Sequence, residues 1–161
     1  MNDYPNFLSL LSQRPQAMAR ISGSAIFPEI QGNVWFYQTS FGVLVVADIE
    51  GLPKDDLVCS SPIFAFHIHN GDSCTGNSED QFANAGTHYN PNNCPHPYHA
   101  GDLPPLFSAN GYAFSAVLTN RFKVNEIIGK TIIIHSNVDD FVSQPSGNSG
   151  SKIACGEIKR T

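Results

Sequence analysis

Histidines that follow an apolar run are the first residues of this sequence that could do chemistry. The run PIFAF leads into His67 and His69, which are separated by one isoleucine. On a β-strand, residues two apart point to the same face, so both imidazoles would lie on one side of the strand. At roughly 3.3 Å per residue, their Cα atoms would be about 6.6 Å apart. This spacing lets both rings bind one metal ion, although an H-x-H pair alone is weak evidence because such pairs also occur on partly exposed strand faces.

The remaining histidines make a metal site the better interpretation. The six histidines all lie at the ends of apolar runs or in one polar segment: His67, His69, His88, His96, His99 and His135. In the run CPHPYHAGD, His96, His99 and Asp102 recur at intervals of three, but the prolines on both sides of His96 exclude a helix. A loop that presents two imidazoles and a carboxylate offers good zinc ligands. Scattered surface histidines would not cluster in this way, so we expect a metal centre.

A framework of short strands must hold these residues. Segments rich in β-branched and aromatic residues, bounded by turn residues, predict seven strands at 19–27, 33–39, 42–49, 63–69, 112–119, 130–135 and 152–158. Residues 106–110 could add an eighth strand, with Asn110-Gly111 as its hairpin turn. Short strands without βαβ alternation are typical of an all-β antiparallel sandwich or barrel. The two long polar segments, 70–101 and 136–151, are expected to be functional loops.

Composition excludes several classes of function. The net charge of −5 argues against nucleic acid as a partner, because binding a phosphate backbone requires a basic surface. No apolar run reaches the roughly eighteen residues of a membrane span. The 161 residues fit one domain with a buried core. Residues 1–17 would form an N-terminal extension, in which 5–13 is the only helical candidate.

The N-terminus bears on the compartment. The stretch MNDYPNFLSLLSQRPQAMA has no basic region before its apolar part, and FLSLL is shorter than the apolar core of a signal peptide. We therefore expect a cytoplasmic protein. The alternative is that a leader has been removed, in which case the protein would be periplasmic or extracellular.

Taken together, the motifs resemble those of the copper/zinc superoxide dismutases from about Ala19 to Ile158. The matching stretches are FHIH at 66–69, GDSCTG at 71–76, NAGTHYNP at 84–91, HAGDL at 99–103, GKTIIIHSNVDD at 129–140 and GNSGSKIACG at 147–156. The resemblance implies a Greek-key antiparallel β-sandwich closed towards a flattened barrel. It also implies an enzyme that converts superoxide to dioxygen and hydrogen peroxide at a copper ion cycling between Cu(II) and Cu(I), with zinc bound through a bridging histidine.

The resemblance also assigns roles to individual residues. The implied copper ligands are His67, His69, His88 and His135. The implied zinc ligands are His88, His96, His99 and Asp102, so that His88 bridges the two metals. These sets agree with the preference of Cu(II) for imidazole and of Zn(II) for a tetrahedron of nitrogen and oxygen. Asp139 matches the carboxylate that links a copper histidine, here His67, to a zinc histidine, here His96, and His88 would pass a proton to the product.

The four cysteines allow three pairings. The resemblance implies a disulfide between Cys74 and Cys155, which would tie the first long loop to the last strand. Cys59 and Cys94 lie outside the family pattern, and they could form a second bridge or be free thiols.

Two departures from the family pattern bear on activity. Lys152 stands where the family has an active-site arginine, so the positive charge is kept but the planar fork of donors is lost. The segment 139–147 is short and has no lysine or glutamate, so the charged guidance loop of the animal enzymes is largely absent. These departures leave a second hypothesis, a non-catalytic module that binds or buffers copper and zinc. The sequence does not distinguish a monomer from a homodimer.

Overall fold

The computed structural model describes residues 6–54 and 62–161. Within these ranges the chain forms eight strands: β1 (Ala17–Gly23), β2 (Gln31–Thr39), β3 (Gly42–Glu50), β4 (Ile63–His69), β5 (Asp102–Phe107), β6 (Ala113–Thr119), β7 (Thr131–His135) and β8 (Lys152–Arg160). The same ranges contain two short helices, α1 (Phe7–Leu10) and α2 (Val124–Ile127), and a 3₁₀ turn at Ala83–Ala85. None of the helices described is long and apolar enough to cross a membrane.

The strands form one antiparallel sheet in the order β5-β4-β7-β8-β1-β2-β3-β6. Neighbours that are distant in sequence, such as β4 with β7 and β1 with β8, give the Greek-key connections of the predicted fold. The sheet curls so that its edge strands, β5 and β6, approach each other in a nearly closed barrel. The all-β class predicted from the sequence is confirmed.

Burial along the strands explains where the candidate metal-binding residues lie. In β1, residues on the core face are buried and alternate with more exposed ones, as expected for a strand with one face in solvent. In β4 almost every residue is buried. One face of β4 packs into the core through Phe64, Phe66 and Ile68, whereas the long loops cover the other face. His67 and His69 lie on that covered face.

Strand β7 brings a third histidine to the same face. β7 pairs with β4, and its residues Ile132 and Ile134 belong to the main core. The register between β7 and β8 shifts after Ile134, so that His135 lies opposite Lys152. Paired residues of neighbouring strands point to the same side of a sheet. Lys152 is therefore next to the face that carries the three histidines.

The predicted two-residue turn at Asn110-Gly111 is present, but it closes only one isolated bridge, Ala109 with Tyr112, and not a hairpin of paired strands. Both residues have positive φ, 54° and 84°, as a two-residue type I′ turn requires. The flanking residues Ala109 and Tyr112 exchange backbone hydrogen bonds of 2.7 and 3.1 Å.

Four elements differ from the prediction. Strand β1 runs over Ala17–Gly23 instead of 19–27, because the chain turns after Gly23, where Phe27 N–H donates to the Ser24 carbonyl at 3.0 Å. The eighth strand is β5, which begins at Asp102 and includes two adjacent prolines; an edge strand tolerates their missing N–H groups. Helix α1 is shorter than the predicted 5–13, and Pro5 lies outside the described residues. Helix α2 was not predicted, because it is only one turn long. Its N-terminus is held by Glu126, whose carboxylate accepts from the Lys123 N–H at 2.7 Å, as in half of a capping box.

The disulfide between Cys74 and Cys155 is present, with Cα atoms 5.7 Å apart. Cys155 packs with Phe82, Ala85 and Ile133 in a small apolar cluster beneath the first long loop. Cross-linking residues that are 81 apart in sequence contributes roughly 4–5 kcal/mol in the chain-entropy model. The bond therefore ties the loop over the histidines to strand β8.

Cys94, one of the two other cysteines, has a free thiol and is partly exposed. The side chain of Asn90 holds its backbone, accepting from its N–H at 2.9 Å and donating to its carbonyl at 2.8 Å. The free thiol of Cys94 corresponds to the second of the two alternatives, in which no second bridge forms. Cys59 lies outside the described residues.

Candidate metal centre

The metal-binding residues expected from the sequence come together beneath the two long loops. All six histidines, together with Asp102 and Asp139, are buried, with 0–7% of their surface exposed. Their potential ligand atoms form two groups, in each of which all atoms lie within 4.8 Å of one another. The first group consists of His67, His69, His88 and His135, and the second group consists of His88, His96, His99 and Asp102. His88 belongs to both.

The first group is built mainly on strands. The Nδ1–H of His69 donates to the carbonyl of Gly86 at 2.8 Å, and that of His135 donates to the carbonyl of Gly150 at 3.3 Å. Each ring then carries its proton on Nδ1 and has an unprotonated Nε2. These two Nε2 atoms are 3.2 Å apart. Two nitrogen lone pairs at this distance repel each other unless a cation lies between them.

The second group is built on the first long loop and the start of β5. His88 Nδ1 lies 3.3 Å from His99 Nδ1. Asp102 Oδ2 lies 3.0 Å from His96 Nδ1 and 3.2 Å from His99 Nδ1. With Zn–N bonds of roughly 2.0–2.1 Å, the ligand atoms of a tetrahedral zinc site are about 3.3 Å apart. The second group has nearly this spacing.

Unpartnered nitrogens support a metal ion in each group. In the part of the chain that the structure describes, the buried polar atoms without a hydrogen-bond partner include His67 Nδ1, His88 Nε2 and His96 Nδ1. His96 Nδ1 contacts Asp102 Oδ2 without forming a hydrogen bond. A buried polar atom left unpaired costs about 1–3 kcal/mol, and native proteins rarely leave one. Metal ions would satisfy all three nitrogens, so the donor set fits them.

Asp139 links the two groups. Its Oδ2 accepts from His67 Nε2–H at 2.9 Å, and its Oδ1 accepts from His96 Nε2–H at 2.9 Å. Both rings are thereby left with an unprotonated Nδ1. Burial alone would raise the pKa of Asp139, but hydrogen bonds from His67, the Phe141 N–H and His96 lower that pKa to about 2. The carboxylate is thus ionised at neutral pH and fixes the orientation of one ring in each group.

Gly147 makes room for this link. Its φ of 69° is in the left-handed region that favours glycine. A Cβ at this position would lie 2.0 Å from Asp139 Oδ1 and 2.7 Å from His96 Nε2. Any larger residue would therefore displace the carboxylate or the ring.

Burial keeps His69 and His135 in the neutral form that binds metal. Desolvation, reinforced by His67, lowers the pKa of His135 to about 3. Burial, reinforced by His135 and His88, lowers the pKa of His69 well below its ordinary value. These imidazoles are therefore uncharged at neutral pH.

Lys152 lies on the wall of an open cavity of about 880 Å³, which is also lined by His69, His88 and His135. Its ammonium donates to Asp80 Oδ2 at 2.5 Å, with 15% of the lysine side chain and 40% of the aspartate side chain exposed. Burial raises the pKa of Asp80, but the hydrogen bonds from Lys152 and the Phe82 N–H, together with the charge of Lys152, more than offset it, so the pKa is lowered overall. The charge of Lys152 is therefore balanced by a carboxylate in the same cavity.

Sequence reasoning missed Asp80 and Gln144. Asp80 is 72 residues from Lys152 and follows Glu79 in a polar segment, so no local pattern identifies its partner. Gln144 holds the backbone of His96, accepting from its N–H at 2.9 Å and donating to its carbonyl at 2.7 Å. A glutamine amide can form such a pair with any backbone, so its partner follows only from the fold.

Comparison with known proteins agrees with this geometry. The family model described as copper/zinc superoxide dismutase (SODC) matches residues 30–158. The chain is also 34% identical over 140 residues to the Cu-Zn superoxide dismutase of Legionella pneumophila, covering 82% of this chain and 80% of that one. The chain belongs to the copper/zinc superoxide dismutase family.

Further members of the copper/zinc superoxide dismutase family are similar to it. A Cu-Zn superoxide dismutase of Aquifex aeolicus is 31% identical over 146 residues, covering 81% of this chain and 80% of that one. The extracellular Cu-Zn superoxide dismutase of Mus musculus is 29% identical over 155 residues, covering 86% of this chain and 59% of that one. The solved structure of a Cu/Zn superoxide dismutase from Brucella abortus has a TM-score of 0.73 at 24% identity, covering 88% of this chain and 98% of that one. This last likeness shows a common fold.

Proposed function

We propose that the first group binds copper and the second group binds zinc, with His88 shared between the two metals. One observation carries the proposal: His88 belongs to both groups, and its Nε2 is buried without a partner while its Nδ1 contacts the second group. A bridging imidazole must lose both ring protons, which is feasible only between two cations. Four imidazoles suit Cu(II), whereas three imidazoles and a carboxylate suit Zn(II).

As a member of this family, the protein converts two superoxide anions and two protons to dioxygen and hydrogen peroxide. Bound copper supplies the one-electron chemistry by cycling between Cu(II) and Cu(I), whereas zinc has no redox chemistry. The side chains have three tasks in this reaction. They present neutral imidazoles to the metals, attract a small anion into the cavity, and deliver a proton to the product.

His88 is the residue to which we assign the proton. It lines the cavity, and its Nδ1 is occupied by contacts with His99 and Asp102. Its Nε2 is therefore the ring atom that can hold a proton and give it to the nascent peroxide. This task requires a ring with a fixed orientation, and the contacts at Nδ1 supply it.

Lys152 is the residue to which we assign attraction of the anion. The net charge of −5 repels superoxide from the protein as a whole, so positive charge at the cavity must guide it. Lys152 lines that cavity with three histidines of the first group. Because Asp80 balances its charge, Lys152 should attract the anion less strongly than an unpaired lysine would.

Metal analysis combined with superoxide consumption tests the proposal. Mass spectrometry of the loaded protein should find one copper and one zinc per chain, and each copper should consume superoxide over many turnovers. Copper that is reduced once by superoxide and never reoxidised would contradict the enzyme. That result would favour the alternative, a copper- and zinc-buffering module, which the Lys152–Asp80 pair supports because it weakens the local positive charge.

Compartment and oligomeric state are separate proposals. The cytoplasmic location expected from the N-terminus stays a prediction. The Cys74–Cys155 disulfide supports the alternative of an oxidising compartment, where such bonds persist. Fractionation of the host cell would distinguish the two compartments.

Large exposed apolar side chains on the edge strands, Phe107 and Phe114 among them, support a homodimer over a monomer. Light scattering at several protein concentrations measures this directly.

A further inference from the structure

Arg121, in the connection between β6 and α2, reaches the turn that carries two residues of the second group. Its Nη1 lies 3.1 Å from the carbonyl oxygen of Pro97, 3.2 Å from that of His99 and 3.1 Å from that of Asp102. The two hydrogens on Nη1 are therefore shared among three acceptors. Arg121 is 19 residues from Asp102 in sequence, so the fold and not the local sequence makes this contact.

Two sets of hydrogen bonds hold the turn. Within the turn, His99 N–H donates to Asp102 Oδ2 at 3.0 Å, and Asp102 N–H donates to the His99 carbonyl at 3.2 Å. These bonds set the two side chains beside each other in the second group. The His99 carbonyl also converges with those of Pro97 and Asp102 on Arg121, and the three carbonyl dipoles repel one another unless a cationic donor lies among them. The planar, permanently charged guanidinium of Arg121 is suited to that position.

We propose that Arg121 is a positioning residue for zinc. It fixes the backbone of His99 and Asp102 before the metal arrives, so less of the binding free energy is used to order the turn. The inference rests on the assignment of zinc to the second group. It adds a residue that touches neither metal nor substrate but sets the affinity for zinc.

Charge and positioning predict opposite effects for Arg121. A positive charge near a divalent cation repels it, so if Arg121 acted through its charge alone, removing it would tighten zinc binding. If Arg121 positions the turn, removing it weakens zinc binding. Loss of an outer hydrogen-bond partner typically costs about 10- to 100-fold in metal affinity, and we expect a weakening in that range.

Three variants separate these effects. Arg121→Ala removes both the charge and the donors. Arg121→Lys keeps the charge but loses the planar fork, so its zinc affinity should lie between that of Arg121→Ala and that of the parent. Arg20→Ala is the matched control, because Arg20 is exposed on β1 and has no ion pair among residues 6–54 and 62–161. It should bind zinc as the parent does.

Zinc affinity should be measured on the copper-loaded, zinc-free protein by competition with a chromophoric chelator. Cobalt(II) in place of zinc gives a second readout, since its visible spectrum reports the geometry of the site independently of activity. We expect weaker zinc binding and an altered cobalt spectrum in Arg121→Ala, with copper retained. If Arg121→Ala does not fold, a weakened Arg121→Lys still supports the inference.

Equal or tighter zinc binding in Arg121→Ala would overturn the inference, as would an Arg121→Lys variant that matches the parent. A lower melting temperature with unchanged zinc affinity would also overturn it, because the role would then be purely structural. If neither the parent protein nor the Asp102→Asn variant binds zinc, the zinc assignment itself is refuted. The inference about Arg121 then loses its basis.

Discussion

The two halves of the metal centre are held in place by different means. In the first group, His67, His69 and His135 lie on or at the ends of β4 and β7, so sheet register sets their positions. In the second group, all members except Asp102 lie in a loop without strands. Their positions depend on individual polar contacts from Asp139, Gln144 and Arg121. Folding of the core therefore preorganises the strand histidines of the first group, whereas the second group depends on side chains that a single substitution can remove.

The disulfide offers the largest expected effect and tests this contrast directly. Replacing Cys74 and Cys155 by serine should lower the free energy of unfolding by about 2–5 kcal/mol, most clearly in the metal-free protein, where no metal compensates. Amide hydrogen exchange should accelerate in the loop 70–101 much more than in β4. Denaturant unfolding and exchange mass spectrometry measure the two effects.

Cys94→Ser is the control for the disulfide, because it removes a thiol that is not part of a disulfide. Equal acceleration of exchange in β4 and in the loop would contradict the contrast between the two halves. Peptide mapping that joined Cys74 to Cys94 or Cys59 in the oxidised protein would refute the pairing.

Asp102→Ala should affect the two halves unequally. It removes one of the four atoms of the second group, so zinc affinity should fall by more than the roughly 100-fold that loss of an outer partner can cost. Copper should stay bound, because the first group keeps all four imidazoles, but with altered geometry as His88 loses its zinc partner. Elemental analysis after dialysis against a chelator measures both metals, and copper electron paramagnetic resonance reports the geometry. Asp72→Ala, at an exposed acid of the same loop, is the control. If Asp102→Ala instead keeps zinc and loses copper, the ligands are divided wrongly between the two metals.

Asp139→Asn should weaken metal binding in both groups, because Asp139 accepts a hydrogen bond from one histidine of each group. An amide oxygen can accept from one ring only, and its NH₂ group would face the N–H of the other. We expect copper and zinc affinities both to fall, each by about 10- to 100-fold. Chelator competition for each metal checks this, with the neighbouring Asp140→Asn as the control, since the Asp140 side chain bonds to Val142 and Ser143 instead. Loss of one metal alone would show that only one of the two hydrogen bonds matters.

The contrast also explains how much of the site could be predicted from the sequence. Ligands on strands are visible because alternation places His67 and His69 on one face, and the prolines around His96 identify a loop. The resemblance to a known family supplied Asp139 and the disulfide. The side chains that hold the loop were not predicted, because their partners are distant in sequence. The partner of Asp80 is 72 residues away, those of Arg121 are 19–24 residues away, and that of Gln144 is 48 residues away. Their polar groups could pair with many others, and only the closed barrel selects the partner.

The smallest expected effect concerns the Lys152–Asp80 pair on the cavity wall. Asp80→Asn should remove the ion pair of Lys152 and speed superoxide consumption a few-fold at low ionic strength. This gain is small compared with the roughly 10- to 1,000-fold increase in association rate that electrostatic steering can give. The rate should then fall more steeply with salt. Lys152→Ala should slow the reaction and flatten its salt dependence, whereas Lys152→Arg should keep or raise the rate because a guanidinium can hold an anion through two donors.

Glu79→Gln is the matched control for Asp80→Asn, since Glu79 lines the same cavity and its loss changes the net charge equally. If Asp80 acts through Lys152, the gain in rate from Asp80→Asn should exceed the gain from Glu79→Gln. The gain from Asp80→Asn should also disappear when Lys152→Ala is present. Equal gains in rate in the two acid variants, at equal metal content, would show that only net charge matters. A slower Asp80→Asn variant would show that the carboxylate supports Lys152 instead of weakening it.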